Sequence, residues 1–174
     1  MLTPTLKNPE DLLKKLAREQ YRVLHSRSHL HKADHLYNFC TTSLAVRDFM
    51  FLTLAYDKDK KKKFNDSWYQ NAELAACGEI ANSSKHCLLT KPKKTKSVMP
   101  GVSSVVEVYE NEKGTLYTNL KHDNPDFEIV LSNGIVMQVH DFTATVIRFW
   151  KEFFKQHGVP YSEQSFKDLS GVTT

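Results

Sequence analysis

The stretch that decides the fold is 31–56, HKADHLYNFCTTSLAVRDFMFLTLAY, which contains neither Gly nor Pro. A stretch of this length without a helix breaker predicts one long helix. Its apolar residues are spread around most of the helix circumference, which is typical of a helix buried on several sides. They are Leu36, Phe39, Cys40, Leu44, Val46, Phe49, Met50, Leu52 and Leu54. We therefore expect this helix at the centre of the core.

Two further helices are predicted around the central one. Asn8-Pro9-Glu10-Asp11 combines a capping residue, Pro at the first helical position and two acids in the first turn, which predicts a first helix over 9–25. The lysine-rich run 57–63 is interpreted as a solvated turn, and a third helix follows over 65–89. Pro92 ends the helical half, because the residue before a proline disfavours helix. The result is an N-terminal bundle of three long helices.

The second half of the chain has the pattern of strands. From Gly101 onward β-branched residues alternate with polar ones, and Asn133-Gly134 is the dipeptide favoured in tight two-residue hairpins. Asp141 is a potential cap for a last helix over 142–157, which Gly158 would stop. The expected strands cover 102–109, 115–120, 127–131 and 135–139. The predicted fold class is α+β, with the helical bundle, a small antiparallel sheet of about four strands and a C-terminal helix.

Length and composition suit a single domain over 1–174, with a helical half over 9–90 and hairpins plus the final helix over 101–157. The chain has 174 residues, of which 40% are hydrophobic and 25% charged, as in ordinary globular proteins. No apolar run approaches the roughly 18–20 residues of a membrane helix, and no secretory signal is visible. The three cysteines are odd in number, which favours a reducing compartment. We expect a cytoplasmic protein without a membrane partner.

The positive charge is concentrated in two lysine runs. The net charge is +4, and basic runs next to aromatic residues can bind nucleic acid. However, the predicted helix between the runs is roughly 37 Å long at 1.5 Å per residue, so the runs cannot form one compact patch. Solvated helix ends are the favoured interpretation, and a nucleic-acid partner is permitted rather than implied. The nucleic-acid candidates are Lys60, Lys61, Lys62, Lys63, Lys93 and Lys94.

A group of four histidines precedes and opens the central helix. His31 and His35 stand one helical turn apart, a spacing that can hold a metal ion. The glutamate of an H-E-x-x-H motif is missing, and histidines at a helix start are often simply solvated. His25 and His29 complete the group. We therefore predict neither a metal nor a cofactor.

Two matching rows of polar residues are the sharpest feature of the sequence. In each row the spacing i, i+3, i+7 places the side chains in a narrow stripe, so two adjacent helices could turn these stripes towards each other or towards a cleft. One interpretation is a hydrogen-bond network that fixes helix register. The other is an active site in which a histidine transfers protons. The rows are His35, Asn38 and Thr42 on the second helix and Glu79, Asn82 and His86 on the third, with Asp48 and Lys85 nearby.

These motifs resemble a protein family. The pattern is His35-x-x-Asn38-Phe39-x-x-Thr42, then Arg47-Asp48-Phe49, then Ile80-Ala81-Asn82-Ser83-Ser84-Lys85-His86. It resembles a family of uncharacterised bacterial, phage and mobile-element proteins, over roughly residues 32–89. The helical half is also similar to the HEPN superfamily, many of whose members are ribonucleases or toxin components. HEPN nucleases carry an Arg followed four to six residues later by a His, and neither Arg47 nor Arg148 has such a His.

Two functional hypotheses follow. The first is a non-enzymatic interaction module, in which the polar rows are structural and the protein binds a protein or itself. The second is a nucleic-acid-directed enzyme, an RNA hydrolase or toxin component, that uses His35, His86, Glu79 and Asp48 while the lysine runs gather phosphates. A homodimer through a sheet edge or through the last helix is an open alternative.

Overall fold

The computed structural model describes residues 6–83, 95–110, 116–131 and 133–163. This part of the chain contains five helices and one antiparallel sheet of three strands in the order β1-β2-β3. The helices are α1 (Pro9–His25), α2 (His29–Thr53), α3 (Lys58–Gln70), α4 (Ala72–Ser83) and α5 (Val139–Gln156), and the strands are β1 (Thr95–Glu110), β2 (Leu116–Leu131) and β3 (Val136–Gln138). The predicted α+β class is confirmed, with more helices and fewer strands than expected. None of the described helices is long and apolar enough to cross a membrane.

The bounds of α1 agree with the prediction, because side chains close in sequence determine where this helix begins. Asn8 Oδ1 accepts a hydrogen bond from the Asp11 amide at 2.9 Å, and Asp11 Oδ2 accepts one from the Asn8 amide at 3.3 Å. This reciprocal pair is a capping box. The central helix α2 begins at His29, two residues earlier than predicted, because Ser28 serves as its N-cap.

The predicted third helix is in fact two helices. Asn71 is extended, with φ −83° and ψ 125°, and its side chain accepts a hydrogen bond from the Leu74 amide at 2.9 Å. Asn71 thus ends α3 and caps α4. The lysine run is also helical rather than a turn, because Asp57 caps α3 by accepting from the Lys60 amide at 2.8 Å.

The sheet has three strands instead of four, because β2 is continuous. It pairs with β1 from Glu110↔Leu116 to Thr95↔Leu131, through the position expected to separate two strands. Pro125 of β2 lies opposite Val102 of β1. On the other side of β2, β3 pairs only with residues 128–130, so Pro125 has no described strand beside it there. A proline is tolerated at such an edge because no partner strand needs its missing N–H.

The hairpin from β2 to β3 and the end of α5 are confirmed in position. Leu131 donates its amide to the Ile135 carbonyl at 2.8 Å, so three residues form the turn rather than two. Gly134 there has φ 85°, which suits a three-residue loop with a left-handed residue. Helix α5 starts at Val139 rather than Phe142 and ends before Gly158, whose φ is 64°.

An aromatic cluster joins α3 to α5. Trp68 and Trp150 are almost completely buried, and their ring centroids lie 5.5 Å apart. Trp150 also donates its indole N–H to Ser43 Oγ of α2 at 2.8 Å. The cluster is completed by Phe64, Phe149 and Phe153. In this arrangement α2 packs against both α1 and α4, while α5 closes the core against α1, α4 and the sheet.

Candidate functional site

The polar row of α2 faces α1. Lys15 Nζ donates to Thr42 Oγ1 at 2.5 Å, and His35 Nδ1 lies 3.4 Å from Glu19 Oε2. Asn38, the third member of the row, is exposed. The row is therefore one half of a polar contact between two helices. We call this contact the α1–α2 polar cluster; it consists of Lys15, Glu19, Arg22, His35 and Thr42.

Glu19 is the centre of the cluster. This residue is only 4% exposed, and a buried carboxylate is tolerated only when charges or hydrogen bonds compensate it. Its Oε1 accepts a hydrogen bond from Arg22 Nη1 at 2.8 Å and lies 3.6 Å from Lys15 Nζ. The side chains of Arg22 and Lys15 are 50% and 30% exposed. The carboxylate is thus buried beneath cations that reach the surface.

Two buried atoms of the cluster, Glu19 Oε2 and His35 Nδ1, have no hydrogen-bond partner among the residues that the structure describes. Their separation of 3.4 Å exceeds the length of about 2.7–2.9 Å of a good charge-assisted bond. The imidazole can still donate towards Glu19 Oε2 when its proton is on Nδ1. A proton on Nδ1 then leaves Nε2 as the acceptor, on a ring that is 30% exposed. The arrangement can orient an imidazole that exchanges protons with solvent or with a ligand.

The two polar rows do not meet across the contact between α2 and α4. That contact includes Cys77, whose Sγ donates to the Cys40 carbonyl at 3.9 Å. Thr42 and Glu79 each follow one of these cysteines by two residues, which corresponds to a rotation of about 200° around the helix. Thr42 and Glu79 therefore lie on the sides of their helices away from the α2–α4 contact. The spacing left open whether the rows face each other or a cleft, and the described members His35, Thr42 and Glu79 do not face each other.

The row of α4 contacts the sheet instead. Glu79 Oε2 accepts a hydrogen bond from the Thr95 amide at 2.6 Å, which links α4 to the first residue of β1. Asn82 is half-buried. Lys85 and His86 lie outside the described residues, so a role for them stays a prediction.

The other candidate residues are dispersed. Asp48 is exposed and accepts hydrogen bonds from its neighbour Arg47 at 3.1 and 3.0 Å. Lys61 lies with its ammonium 5.9 Å from the centre of the Phe51 ring. Lys60, Lys62 and Lys63 are exposed on α3, and Lys93 and Lys94 lie outside the described residues.

The four histidines do not converge. The His25 ring stacks on Tyr21 with centroids 4.0 Å apart, whereas His29 makes an edge contact with Phe127. His31 is exposed, and His35 faces Glu19. Across residues 6–83, 95–110, 116–131 and 133–163, no three His, Cys, Asp or Glu side chains are grouped so that they could hold a metal ion.

A buried ion pair was missed from the sequence. Lys32 is 2% exposed, and its Nζ lies 3.4 Å from Asp126 Oδ1, which also accepts from the Phe127 amide at 2.9 Å. The pair ties the start of α2 to β2. A signal was present: Lys32 shares an apolar helical stripe with Leu36 and Phe39 at i, i+4 and i+7. The same signal marks Glu19, which shares a stripe of α1 with Leu12, Leu16 and Val23.

The cysteines are structural in this arrangement. Cys40 and Cys77 are both buried and form no disulfide with each other, and Cys87 lies outside the described residues. Burial raises the pKa of the Cys40 thiol, and the neighbouring Cys77 raises it further. Because the thiolate is the reactive form, Cys40 is unsuited to act as a nucleophile.

Comparison with known proteins gives no match: no family model fits the chain, and no curated protein or solved structure is significantly similar to it. The resemblance based on the helical motifs therefore stays a prediction. A functional proposal has to be built on the geometry alone.

Proposed function

We propose that this chain is a non-enzymatic intracellular interaction module. The observation that carries the proposal is the α1–α2 polar cluster, in which the polar row of α2 is used for contacts inside the fold. Thr42 is 3% exposed and bound to Lys15, and His35 is directed at Glu19. His35 and Thr42 thus have a structural role in this proposal. The link to mobile or phage-related DNA rests on the motif resemblance.

A structural role for the cluster has a physical basis. Polar groups inside a helix interface are stable only in the arrangement that pairs them, so they select one register of α1 against α2. Catalysis would require several functional groups directed at the same ligand. In the cluster only one edge of the His35 ring, together with parts of Lys15 and Arg22, reaches the surface.

The proposal is tested by a degradation assay on labelled single-stranded RNA, with wild type beside His35→Asn, Thr42→Val and His86→Ala. We expect intact RNA with every protein, and a lower melting temperature for Thr42→Val because Lys15 loses its acceptor. Cleavage by wild type that disappears in a folded His35→Asn or His86→Ala variant would refute the module.

A second candidate function, an RNA hydrolase or toxin component, is favoured by one observation. Glu19 Oε2 lies 3.4 Å from His35 Nδ1, and a carboxylate behind an imidazole is a common way to orient a general base. Glu19 would then take the orienting role that the sequence suggested for Glu79 or Asp48. Under this hypothesis Glu19→Gln slows RNA cleavage and shifts its pH profile, whereas a module gives no cleavage to slow.

A further inference from the structure

The outer side of α1 is strongly basic. From Lys14 to Ser28 the chain has five Lys or Arg residues and a single acid, Glu19, and that acid is almost completely buried. Lys14, Arg18 and Arg22 follow each other at a spacing of four residues. They therefore form a line along one side of the helix, with steps of about 6 Å along its axis.

The three cations differ in how they are engaged within the fold. Lys14 pairs with Glu10 at 2.9 Å and is 28% exposed, and Arg22 bonds Glu19 through Nη1 only. Arg18 makes no ion pair in the part of the chain that the structure describes. Since a guanidinium carries five N–H donors, Arg18 and Arg22 retain donors for an external anion.

An aromatic pair accompanies this line. Tyr21, 39% exposed, and His25 have their ring centroids 4.0 Å apart and their planes inclined by 22°. His25 Nδ1 lies 2.8 Å from the Tyr21 carbonyl oxygen, which holds the imidazole over the phenol ring. Tyr21 and His25 each stand three residues beyond a cation of the line, and so on the same side of the helix. The pair is a flat surface on which a further ring can stack.

We propose that the outer face of α1, formed by Lys14, Arg18, Tyr21, Arg22 and His25, binds single-stranded nucleic acid. Cations spaced along a helix fit the repeated phosphates of a strand, and exposed aromatic rings fit unpaired bases. A duplex keeps its bases stacked and leaves the aromatic pair unused. This inference names the partner of the proposed module. It rests on the proposed function in one respect, namely that the strand is bound without being cleaved.

The face of α1 is better suited to this partner than the lysine run of α3. The α3 lysines lie among acids, and the stacked aromatic pair beside them, Phe51 and Tyr56, is less open to a base because Phe51 is only 8% exposed. Those acids are Asp57, Asp59 and Asp66. A strand that follows α3 would therefore meet both signs of charge.

The test is a fluorescence-anisotropy titration of labelled oligouridylate at several salt concentrations. For Arg18→Ala we expect about fivefold weaker binding and a salt slope smaller by about one, because one phosphate contact is lost. For Tyr21→Ala we expect about tenfold weaker binding with an unchanged salt slope, since a stacking contact carries no charge. Lys62→Ala, an exposed cation of α3, is the matched control and should bind like wild type.

Several outcomes would overturn the inference: no binding by wild type at low salt, equal losses for Arg18→Ala and Lys62→Ala, or a duplex bound as tightly as the single strand. Tyr21→Leu guards against a folding defect, because it keeps an apolar side chain and should still lose the stacking contribution. Cleavage of the RNA would refute the module and, with it, the statement that the strand is bound without being cleaved, whereas absence of binding refutes only the inference.

Discussion

Helix α2 meets two different kinds of neighbour. Towards α4 and α5 its contacts are largely apolar, with Phe39 against Phe142 and Cys40 beside Cys77. Towards α1 it presents His35 and Thr42, which meet charged side chains. Burial of apolar surface supplies most of the folding free energy, whereas buried charged pairs nearly balance their own desolvation. The comparison suggests that the apolar sides stabilise the fold and the polar side fixes which helices pair.

The largest effect should come from the apolar side. Trp150→Ala removes a completely buried indole and leaves Ser43 without its donor, so we expect the free energy of unfolding to fall by about 4 kcal/mol. Urea denaturation measures it. Arg148→Ala, an exposed position on the same helix, is the control and should change stability by less than about 0.5 kcal/mol. A loss below about 1 kcal/mol for Trp150→Ala, the size of an average point mutation, would contradict the assignment of stability to this side.

The buried ion pair ranks second. Asp126→Ala leaves the Lys32 ammonium uncompensated at 2% exposure, and we expect a loss of about 3 kcal/mol. Because apolar replacement of both partners removes the desolvation cost, Lys32→Met combined with Asp126→Leu should recover most of that loss. Urea denaturation measures both variants. A double variant as unstable as Asp126→Ala would show that the ion pair itself stabilises the fold, rather than only selecting how α2 meets β2.

The polar side should give a smaller effect. Glu19→Gln removes the charge that Arg22 and Lys15 share, and these cations can turn to water because they are partly exposed. We expect a loss of about 2 kcal/mol. Glu152→Gln, an exposed position on α5, serves as the reference and should be neutral. Equal stability of both variants would mean that the α1–α2 polar cluster does not select the pairing of these helices.

Local chemistry explains which elements the sequence predicts well. The bounds of α1 follow from Asn8 and Pro9, because capping needs only neighbours in sequence. The break at Asn71 depends on the same chemistry, yet an asparagine within a long helical pattern is equally compatible with an unbroken helix. The strands expected over 115–120 and 127–131 are one continuous strand, β2, which contains Pro125 where β3 is not paired with it. Such errors arise where a residue is compatible with two local structures and only its tertiary contacts determine which one forms.

The site shows the same limit more clearly. The spacing of His35, Asn38 and Thr42 correctly predicts a polar stripe on α2, since helical periodicity fixes the face of a residue. It does not identify the helix that this stripe meets. Lys15 and Glu19 have the i, i+4 spacing of an ordinary surface pair, and although Glu19 also lies on the apolar stripe of α1, the sequence does not show that α2 covers the carboxylate. A sequence therefore predicts one half of a contact more readily than the pair.

The smallest effect concerns a polar contact at the other end of α1. After α5 the chain returns to α1, where the Ser162 amide donates to Glu10 Oε1 at 3.0 Å and the Tyr161 hydroxyl donates to Glu163 Oε1 at 2.8 Å. Burial, together with the Glu163 carboxylate, raises the pKa of Tyr161 from 10.0 to about 12. The fold thus favours the protonated phenol.

The sign of the pH dependence follows from that shift. A group whose pKa is higher in the folded state stabilises the fold fully below its unfolded pKa, here 10.0, and the contribution is lost as the pH rises towards about 12. The difference in phenolate absorbance between wild type and Tyr161→Phe should therefore have its midpoint near pH 12. A midpoint near the ordinary value would mean that this contact is open to solvent. The Tyr161–Glu163 contact would then not favour the protonated phenol, and the returning segment would contact α1 through the Ser162–Glu10 hydrogen bond.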